Sequence, residues 1–472
     1  MDRKARSRTM PPRRTGHRLL DAALATVLFA GAAAAQDLRF IPLPPPTAPR
    51  DLLYNPIVNR LYSANTPQTG APSSESVTVI DGATDAIIAT IPVAAGPRDF
   101  CLNTQNNRVY VANYFADLVT VIDGVTNQIL ATVPVGDGPR ALCYNPNDNR
   151  IYCANEFSNN VTVIDGTTNA VLATVPVGST PRVICHNPVS NKVYCPNAGS
   201  QSVSVISGAT NAVIATIPVG NLPRGILFNP QNNRVYCSNY GSDTVTVIDG
   251  ATNAVVATVA VGDGPTAMIH NPVGNKVYCS NVGAPGPGTP PACSVSVIGG
   301  ATNTVLATLP AGDEPTAFCF SPEAGRIYWV NEWSHSIAVI DAATDTQVGL
   351  VPLGPSLVQP VDIAYNPVNG LVYTANRLLL NIGVLPTGVV PCPADLDGNG
   401  NVDAADLALL LAAWGTPAGD LDGNGQTNAA DLAVILAEWG PCRGGIAASF
   451  NSRPDRPSRA AIDGPRSRSR RR

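Results

Sequence analysis

Residues 139–178 read PRALCYNPNDNRIYCANEFSNNVTVIDGTTNAVLATVPVG. An apolar run ends in Tyr144, and an Asn-Pro turn leads into 150–155. A polar loop precedes 161–165, and a Gly-Thr-Thr-Asn turn precedes 170–177. Each run is rich in Val, Ile, Thr and Tyr and is bounded by Gly, Pro, Asn or Asp, the chemistry of strands and turns rather than of helices. The same phrase returns along the chain, placing Tyr62, Tyr110, Tyr152, Tyr194, Tyr236, Tyr278, Tyr328 and Tyr373 in register at spacings of 48, 42, 42, 42, 42, 50 and 45. A period near 42 with four strands per unit predicts a β-propeller, because no single unit can bury its apolar faces without neighbours.

The last unit supplies 361–365, 371–376 and 381–385 but no fourth strand. At the other end, DLRFIPL at 37–43 precedes PPPTAPR as ATVPV precedes GDGPR in a full unit. This N-terminal strand is expected to pair into the last blade and remove the edge an unclosed ring would expose. The fold class is mainly β, an eight-bladed propeller over 36–388, with seven blades the alternative if a degenerate terminal unit does not close the ring. On the recurring phrases YNPxxNRxYxxN and VTVIDGxTNxVxATxPVG, residues 37–386 resemble the YVTN-type propeller repeat of secreted and surface bacterial proteins. That resemblance implies a binding platform more than an enzyme, and fold alone does not fix function.

Residues 1–35 carry seven Lys or Arg against two Asp, a mostly apolar stretch over 19–34, and Ala33, Ala34 and Ala35 before Gln36. They read as a signal peptide removed near Ala35, which implies a secreted, cell-surface or periplasmic location and no membrane span in the mature chain. The whole chain carries −4; residues 1–35 contribute +5 and the last 30 residues +7, leaving −16 for 36–442. An acidic body argues against nucleic acid as a partner. The Arg-rich segment 445–472 reads as a solvated disordered tail. The chain has 11 cysteines, an odd number. Counting across the hairpins sets Cys143 opposite Cys153 and Cys185 opposite Cys195, either as cross-strand disulfides or as apolar fillers of the kind Val111, Leu227 and Ile269 supply elsewhere.

Beyond Val390 the pattern changes. Residues 391–442 hold eight acidic residues and no Lys or Arg, in two copies 25 residues apart: DLDGNGNVDAADLALLLAAWG and DLDGNGQTNAADLAVILAEWG. Asp395, Asp397, Asn399, Asn401, Asp403 and Asp406 stand at positions 1, 3, 5, 7, 9 and 12 of a calcium loop, with Gly400 at 6; Asp420, Asp422, Asn424, Gln426, Asn428 and Asp431 repeat them around Gly425. Side-chain oxygens at alternate positions and one backbone carbonyl wrap a hard cation, so two Ca2+ sites are expected. Such a density of carboxylates is expected to fold with its metal. Leu407, Leu410, Leu411 and Trp414, and Leu432, Ile435, Leu436 and Trp439, fall at helical spacing and read as the core between two antiparallel helices. So small a module has little core, and Cys392 and Cys442 are expected to clasp its ends as a disulfide.

Two loop-helix copies, each loop ending in Asp followed by Leu, resemble the type I dockerin, here over 389–444. The resemblance implies a small all-α domain and calcium-dependent docking to a cohesin-like or other extracellular protein. It assigns partner choice to Ala404, Ala405, Ala429 and Ala430, and it implies a role in polysaccharide-active assemblies.

No haem attachment, zinc helix, nucleophile elbow or phosphate loop is present. Asp81, Asp123, Asp165 and Asp249 each precede a Gly in a hairpin and read as turn caps. His186 and His270 occupy positions held by Tyr144, Phe228 and Phe320 in other units and read as semi-buried strand residues. Arg50, Arg98, Arg140, Arg182 and Arg224 each follow a Pro at the entry to a first strand, and the loops opening on the same face carry Tyr114, Phe157, Tyr240 and Trp333. These residues form a candidate face for an anionic or carbohydrate polymer, against the alternative that each Arg holds blades together. The chain therefore reads as a secreted binding or scaffold protein. The rival class is a polysaccharide-active lyase or hydrolase carried into an extracellular complex by the same module.

Overall fold

The structure, a computed structural model, describes residues 38–45, 47–67, 75–283, 293–354, 358–387, 401–402, 404–416, 426–437 and 439–441. Thirty-two strands form eight four-stranded antiparallel sheets. Blades 1 to 7 run in chain order over 47–92, 97–134, 139–176, 185–218, 223–260, 265–310 and 315–352. Blade 8 takes three strands from 360–386 and its outermost one from Arg39–Pro42, which pairs antiparallel with 381–384 through Phe40 opposite Gly383 and Ile41 opposite Ile382. The ring thus closes with eight blades by the expected exchange of a terminal strand.

First strands pack against the first strands of neighbouring blades and so form the inner wall. Second and third strands are almost wholly buried, while each fourth strand turns alternate side chains outward. The core is a series of clusters between successive sheets. In one, Cys143, Tyr152 and Val163 of blade 3 meet Val193, Cys195 and Ile206 of blade 4.

The recurrent tyrosine explains how these sheets are tied. All eight are 0–1 % exposed, so a hydroxyl without a partner there would be costly. Tyr152 donates to Asn211 Oδ1 of blade 4 at 3.0 Å, Tyr110 to Asn169 of blade 3 at 2.8 Å, and Tyr194 to Asn253 of blade 5 at 3.1 Å. Each acceptor is the Asn that ends a Gly-x-Thr-Asn hairpin, VIDGTTN, VISGATN or VIDGATN, with φ between 55° and 64°, a left-handed conformation that Asn tolerates better than most residues. One side chain therefore shapes its own turn and receives the neighbouring blade. Two residues before each Tyr, Arg60, Arg108 and Lys192 donate to the carbonyl of the same hairpin's glycine at 2.7–3.0 Å.

An asparagine relay adds a second tie, with Asn103 donating to Asn149 at 2.7 Å and Asn145 to Asn191 at 2.9 Å. The hairpin glycine exists for that relay: a Cβ on Gly166 would lie 2.4 Å from Asn149 Oδ1 and 2.5 Å from Asn103 Nδ2. The pattern repeats across the closure, where Asn366 donates to Asn59, Tyr373 to Asp85 at 2.7 Å, and Arg39 pairs with Asp85.

The hairpin aspartates act as caps. Asp165 Oδ1 accepts from the Thr167 and Thr168 N–H groups at 2.9 and 2.7 Å and from the Thr168 hydroxyl at 3.0 Å. Hydrogen bonds from the threonine three residues on hold Asp81, Asp123, Asp165, Asp249 and Asp341 below the ordinary carboxylate range.

Two expectations change. Cys143 lies opposite Tyr152, not Cys153, and Cys185 lies opposite Tyr194, not Cys195. A shift of one residue sends the two side chains to opposite faces of the sheet, so neither pair can form a cross-strand disulfide. The nine cysteines within the described residues are free, and eight of them are buried as apolar filler.

In the C-terminal segment, the helices α1 (Ala404–Ala412) and α2 (Ala429–Ala437) pack on each other. Only Leu410 and Ile435 of the apolar stripes are fully buried; Leu411, Trp414, Leu436 and Trp439 are 46–58 % exposed. Nine-residue helices have too few turns to cover a stripe of that length. Val402 pairs with Gly440, while Gly415 and Thr416 bond Thr427 at 2.8 and 2.7 Å, so each copy's loop exit pairs with the end of the other copy's helix. The leader 1–35, the tail 445–472, Cys392 and Cys442 lie outside the described residues. Among the described residues no helix is long and apolar enough to cross a membrane.

Two outcomes test this account. Tyr152→Phe removes one interblade hydrogen bond and should cost about 1 kcal/mol in urea unfolding, whereas Tyr152→Ala should cost about 3–5 kcal/mol. Burial lowers the pKa of His186 and of His270 from 6.5 to about 4. Groups whose folded pKa is depressed stabilise above the unfolded pKa and lose that contribution as pH falls. The melting temperature should therefore decline from about pH 6.5 on account of the histidines, and again below about pH 4 as the hairpin aspartates protonate. His186→Phe with His270→Phe should remove the first decline and leave the second.

Candidate functional site

On the face where first strands begin, one spacing organises the inner wall. Sixteen residues after each first-strand position 50, 98, 140, 182, 224, 266, 316 and 361 stand Thr66, Tyr114, Glu156, Ala198, Tyr240, Val282, Glu332 and Arg377. The hairpin between first and second strands brings the two positions together. Arg50 Nε donates to the Thr66 hydroxyl at 3.0 Å, the Arg98 guanidinium lies 4.9 Å from the Tyr114 ring centre, and that of Arg224 lies 3.8 Å from the Tyr240 ring. Arg140 meets Glu156 at 2.8 Å.

Glu156 is the centre of the arc. It is 4 % exposed, takes Arg140 on Oε2 at 2.8 Å and Arg182 of the next blade on Oε1 at 2.9 Å, and accepts the Tyr114 hydroxyl on Oε2 at 2.8 Å. Three blades are tied through one carboxylate. Burial pushes that carboxyl up, but the two guanidiniums and the Tyr114 hydroxyl outweigh it and hold its pKa below the usual value. Burial, reinforced by the Glu156 charge, raises Tyr114 to about 12. Charge-assisted, partly bidentate contacts of this kind are strong and geometrically demanding.

The five arginines stand at the starts of five successive blades, but they are not equivalent. Arg140 is buried against Glu156, whereas Arg50, Arg98, Arg182 and Arg224 are partly exposed. Among the aromatic residues, Tyr114, Tyr240 and Trp333 are half-buried, while Phe115 and Phe157 are 65 % and 57 % exposed. Tyr114 packs edge-on to Phe115 at 5.1 Å and tilted against Phe157 at 5.7 Å. An apolar ledge thus borders a cationic arc.

Blade 4 departs from its neighbours here. Its ladder shrinks to Cys185–Asn187 plus an isolated bridge between Pro181 and Asn197. Thr180 has φ 59°, in the left-handed region shared by Gly96, Gly138 and Gly264 of blades 2, 3 and 6 and by Leu222, Glu314 and Gln359 of blades 5, 7 and 8; Thr180 is the β-branched residue among them. Beside it a cleft of about 450 Å³ is lined by Ser200, Ser202, Ser204 and Thr216 with Pro176, Val177 and Val213.

Sequence reasoning missed two features. Asp99 and Asp362 sit one residue beyond Arg98 and Val361 and accept the Leu142 and Leu52 N–H groups of the following blades at 2.7 Å; their signal is the residue after Pro-Arg or Pro-Val. Glu156 was legible as a loop acid, but its role needed the spacing of 16 to be noticed.

Of the calcium-loop positions, Asp395, Asp397, Asn399, Asp403, Asp420, Asp422 and Asn424 lie outside the described residues. Asp406 and Asp431 are fully buried in the first turns of α1 and α2, and the Asn428 N–H donates to Asp431 at 2.7 Å. Asn401 pairs with Pro441 beside Val402, Gln426 is exposed, and the Asn428 side chain donates to the Gln426 carbonyl at 2.9 Å. Ala404, Ala405 and Ala429 are exposed, and Ala430 begins the same helix as Ala429. Among the described residues no group of three or more His, Cys, Asp or Glu is placed to hold a metal.

A family described as "Lactonase, 7-bladed beta-propeller" matches residues 124–269, about three blades of the eight seen here. No curated protein matches the chain. Among solved structures, the hydrazine synthase of Kuenenia stuttgartiensis is similar at a TM-score of 0.52 and 19 % identity, over 63 % of this chain and 97 % of that one. The dihydro-heme d1 dehydrogenase NirN, in complex with DHE, is similar at 0.56 and 16 % identity, over 72 % and 75 %. These likenesses are to the propeller fold.

Glu156→Ala leaves two guanidiniums facing a site with no carboxylate. Because removing one partner of a buried pair is the costly change, it should destabilise by about 3–5 kcal/mol in chemical denaturation. Arg182→Ala, at the more exposed end, should cost well under half as much.

Proposed function

We propose that this is an extracellular, non-catalytic binding or scaffold protein. Its propeller presents one recognition face to an anionic or carbohydrate polymer, and its C-terminal repeat docks another protein when calcium is bound. The observation that carries the first half is the arc of Arg50, Arg98, Arg182 and Arg224 beside exposed Phe115 and Phe157. Partly exposed guanidiniums bind carboxylates and sulfates, and aromatic faces accept sugar rings.

The second half rests on the duplicated loop spacing and the reciprocal pairing of loop exits with helix ends. With calcium bound, the carboxylates of each loop would lose their mutual repulsion, and Asp406 and Asp431 would close the loops from the first turns of their helices. The docking surface would be the exposed faces carrying Ala404, Ala405 and Ala429, continuous with Leu411, Trp414, Leu436 and Trp439. The partner proposed for it is a cohesin-like or other extracellular protein. Charge segregation, with a basic tail on an acidic body, adds no requirement for nucleic acid.

The test is capture of exoproteins on the full chain in calcium and in EDTA, compared with a chain carrying Asp406→Ala and Asp431→Ala. A partner retained only in calcium, and lost in the double variant, is expected. Capture that is indifferent to calcium would refute the docking half.

A further inference from the structure

We propose that the outer strand of blade 5, Val255–Ala260, is a pairing edge for a second copy of this chain, so that two rings associate rim to rim with these strands antiparallel. The inference is independent of the recognition face and of the calcium repeat.

Among the described residues, every blade presents its outermost strand as an edge that pairs with no further strand. Such edges are templates for association, and proteins commonly blunt them with proline or charge. Seven of the eight outer strands end in proline, from Pro42 and Pro92 through Pro218 to Pro352. The outer strand of blade 5 ends in Ala260.

The direction of the proline nitrogen gives this exception its meaning. In each blade the residue after that position donates its N–H inward, to the carbonyl just before the third strand, at 2.9–3.3 Å; Val219 does so to Gln201 and Val261 to Asp243, both at 3.0 Å. Backbone groups of successive strand residues point to opposite edges, so the nitrogen at the preceding position points outward. Proline there removes a donor from the rim. Ala260 is exposed and keeps its N–H, and Thr258, two residues earlier and also exposed, turns its N–H and C=O the same way. The strand otherwise matches its neighbours, since blades 1 to 5 share one burial pattern along their outer strands. Blade 5 thus differs from them in its donor and not in its exposure.

Composition and symmetry point to a second copy as the occupant. Residues 254–262 carry no charge, a neutral strip on an acidic body, so two copies meeting here bring no like charges into the pair. Run antiparallel, Thr258 of each copy exchanges hydrogen bonds with Ala260 of the other. A pairing of identical surfaces closes at two copies, and the prolines of the other seven blades discourage further addition. The convex rim lets two rings meet along one blade each. One six-residue edge buries less than the roughly 1,200 Å² of a stable interface, so the pair should be weak and concentration-dependent.

The experiment is sedimentation equilibrium of the full chain from about 1 to about 500 µM, the span in which small interfaces associate, repeated in EDTA, with the melting temperature recorded for every variant. The wild-type mass should rise towards that of two chains as concentration increases, with or without calcium. Ala260→Pro gives blade 5 the residue found at the seven equivalent positions. It should leave the melting temperature unchanged and raise the dissociation constant about tenfold or more. Thr258→Lys sets two like charges against each other across the pair and should do the same; it decides the matter if Ala260→Pro lowers the melting temperature. Hydrogen exchange at the Thr258 amide should slow with concentration in the wild type and not in Ala260→Pro. A wild-type chain that stays monomeric across the range would overturn the proposal, as would a dimer that survives both substitutions or that dissociates in EDTA.

Discussion

The architecture depends on one recurring contact, a buried tyrosine hydroxyl that crosses from one sheet to the hairpin of the next. Its ring fills space between blades, and its hydroxyl needs a partner because water is excluded. The asparagine that receives it adopts a left-handed turn, which the Gly-x-Thr-Asn hairpin supplies. A strand residue, a turn residue and a neighbouring blade are thus bound by a single requirement for satisfied polarity. The Arg or Lys two residues earlier and the asparagine relay serve the same end, and the closure between blades 8 and 1 reuses the set with Asp85 in place of asparagine.

That contact also explains where freedom remains. Second and third strands are committed to the core, and fourth strands to the outer rim. The ends of first strands and the loops opening beside them can vary without disturbing the ties. Blades 3 and 4 differ there from the others: Glu156 gathers Arg140, Arg182 and Tyr114, and the first strand of blade 4 shortens to Cys185–Asn187. The same scaffold carries a stabilising ion cluster and, beside it, the least regular part of the wall.

Both readings of the arginines, as blade ties and as a binding face, find residues that fit them. Arg140 is buried and belongs to the core of the wall. Arg98 and Arg224 lie over tyrosine rings with part of each side chain in solvent. A single label for the five would have hidden that division, which comes from what stands sixteen residues further on.

The sequence alone determined the repeat, the number of strands per blade, the closing exchange of the N-terminal strand and the capping role of the hairpin aspartates. Those features follow from local rules: alternation along a strand, the turn chemistry of Asn, Asp and Gly, and a period too short to fold alone. Tertiary structure decided everything that passes between blades. It put Cys143 and Cys153 on opposite faces through a register one residue from the counted one. It exposed Trp414 and Trp439 because two short helices cannot cover their stripes. It joined Arg182 to a carboxylate of the preceding blade rather than of its own. Partners of that kind lie 26 or more residues apart and are chosen by the packing of neighbouring sheets, which no local pattern encodes.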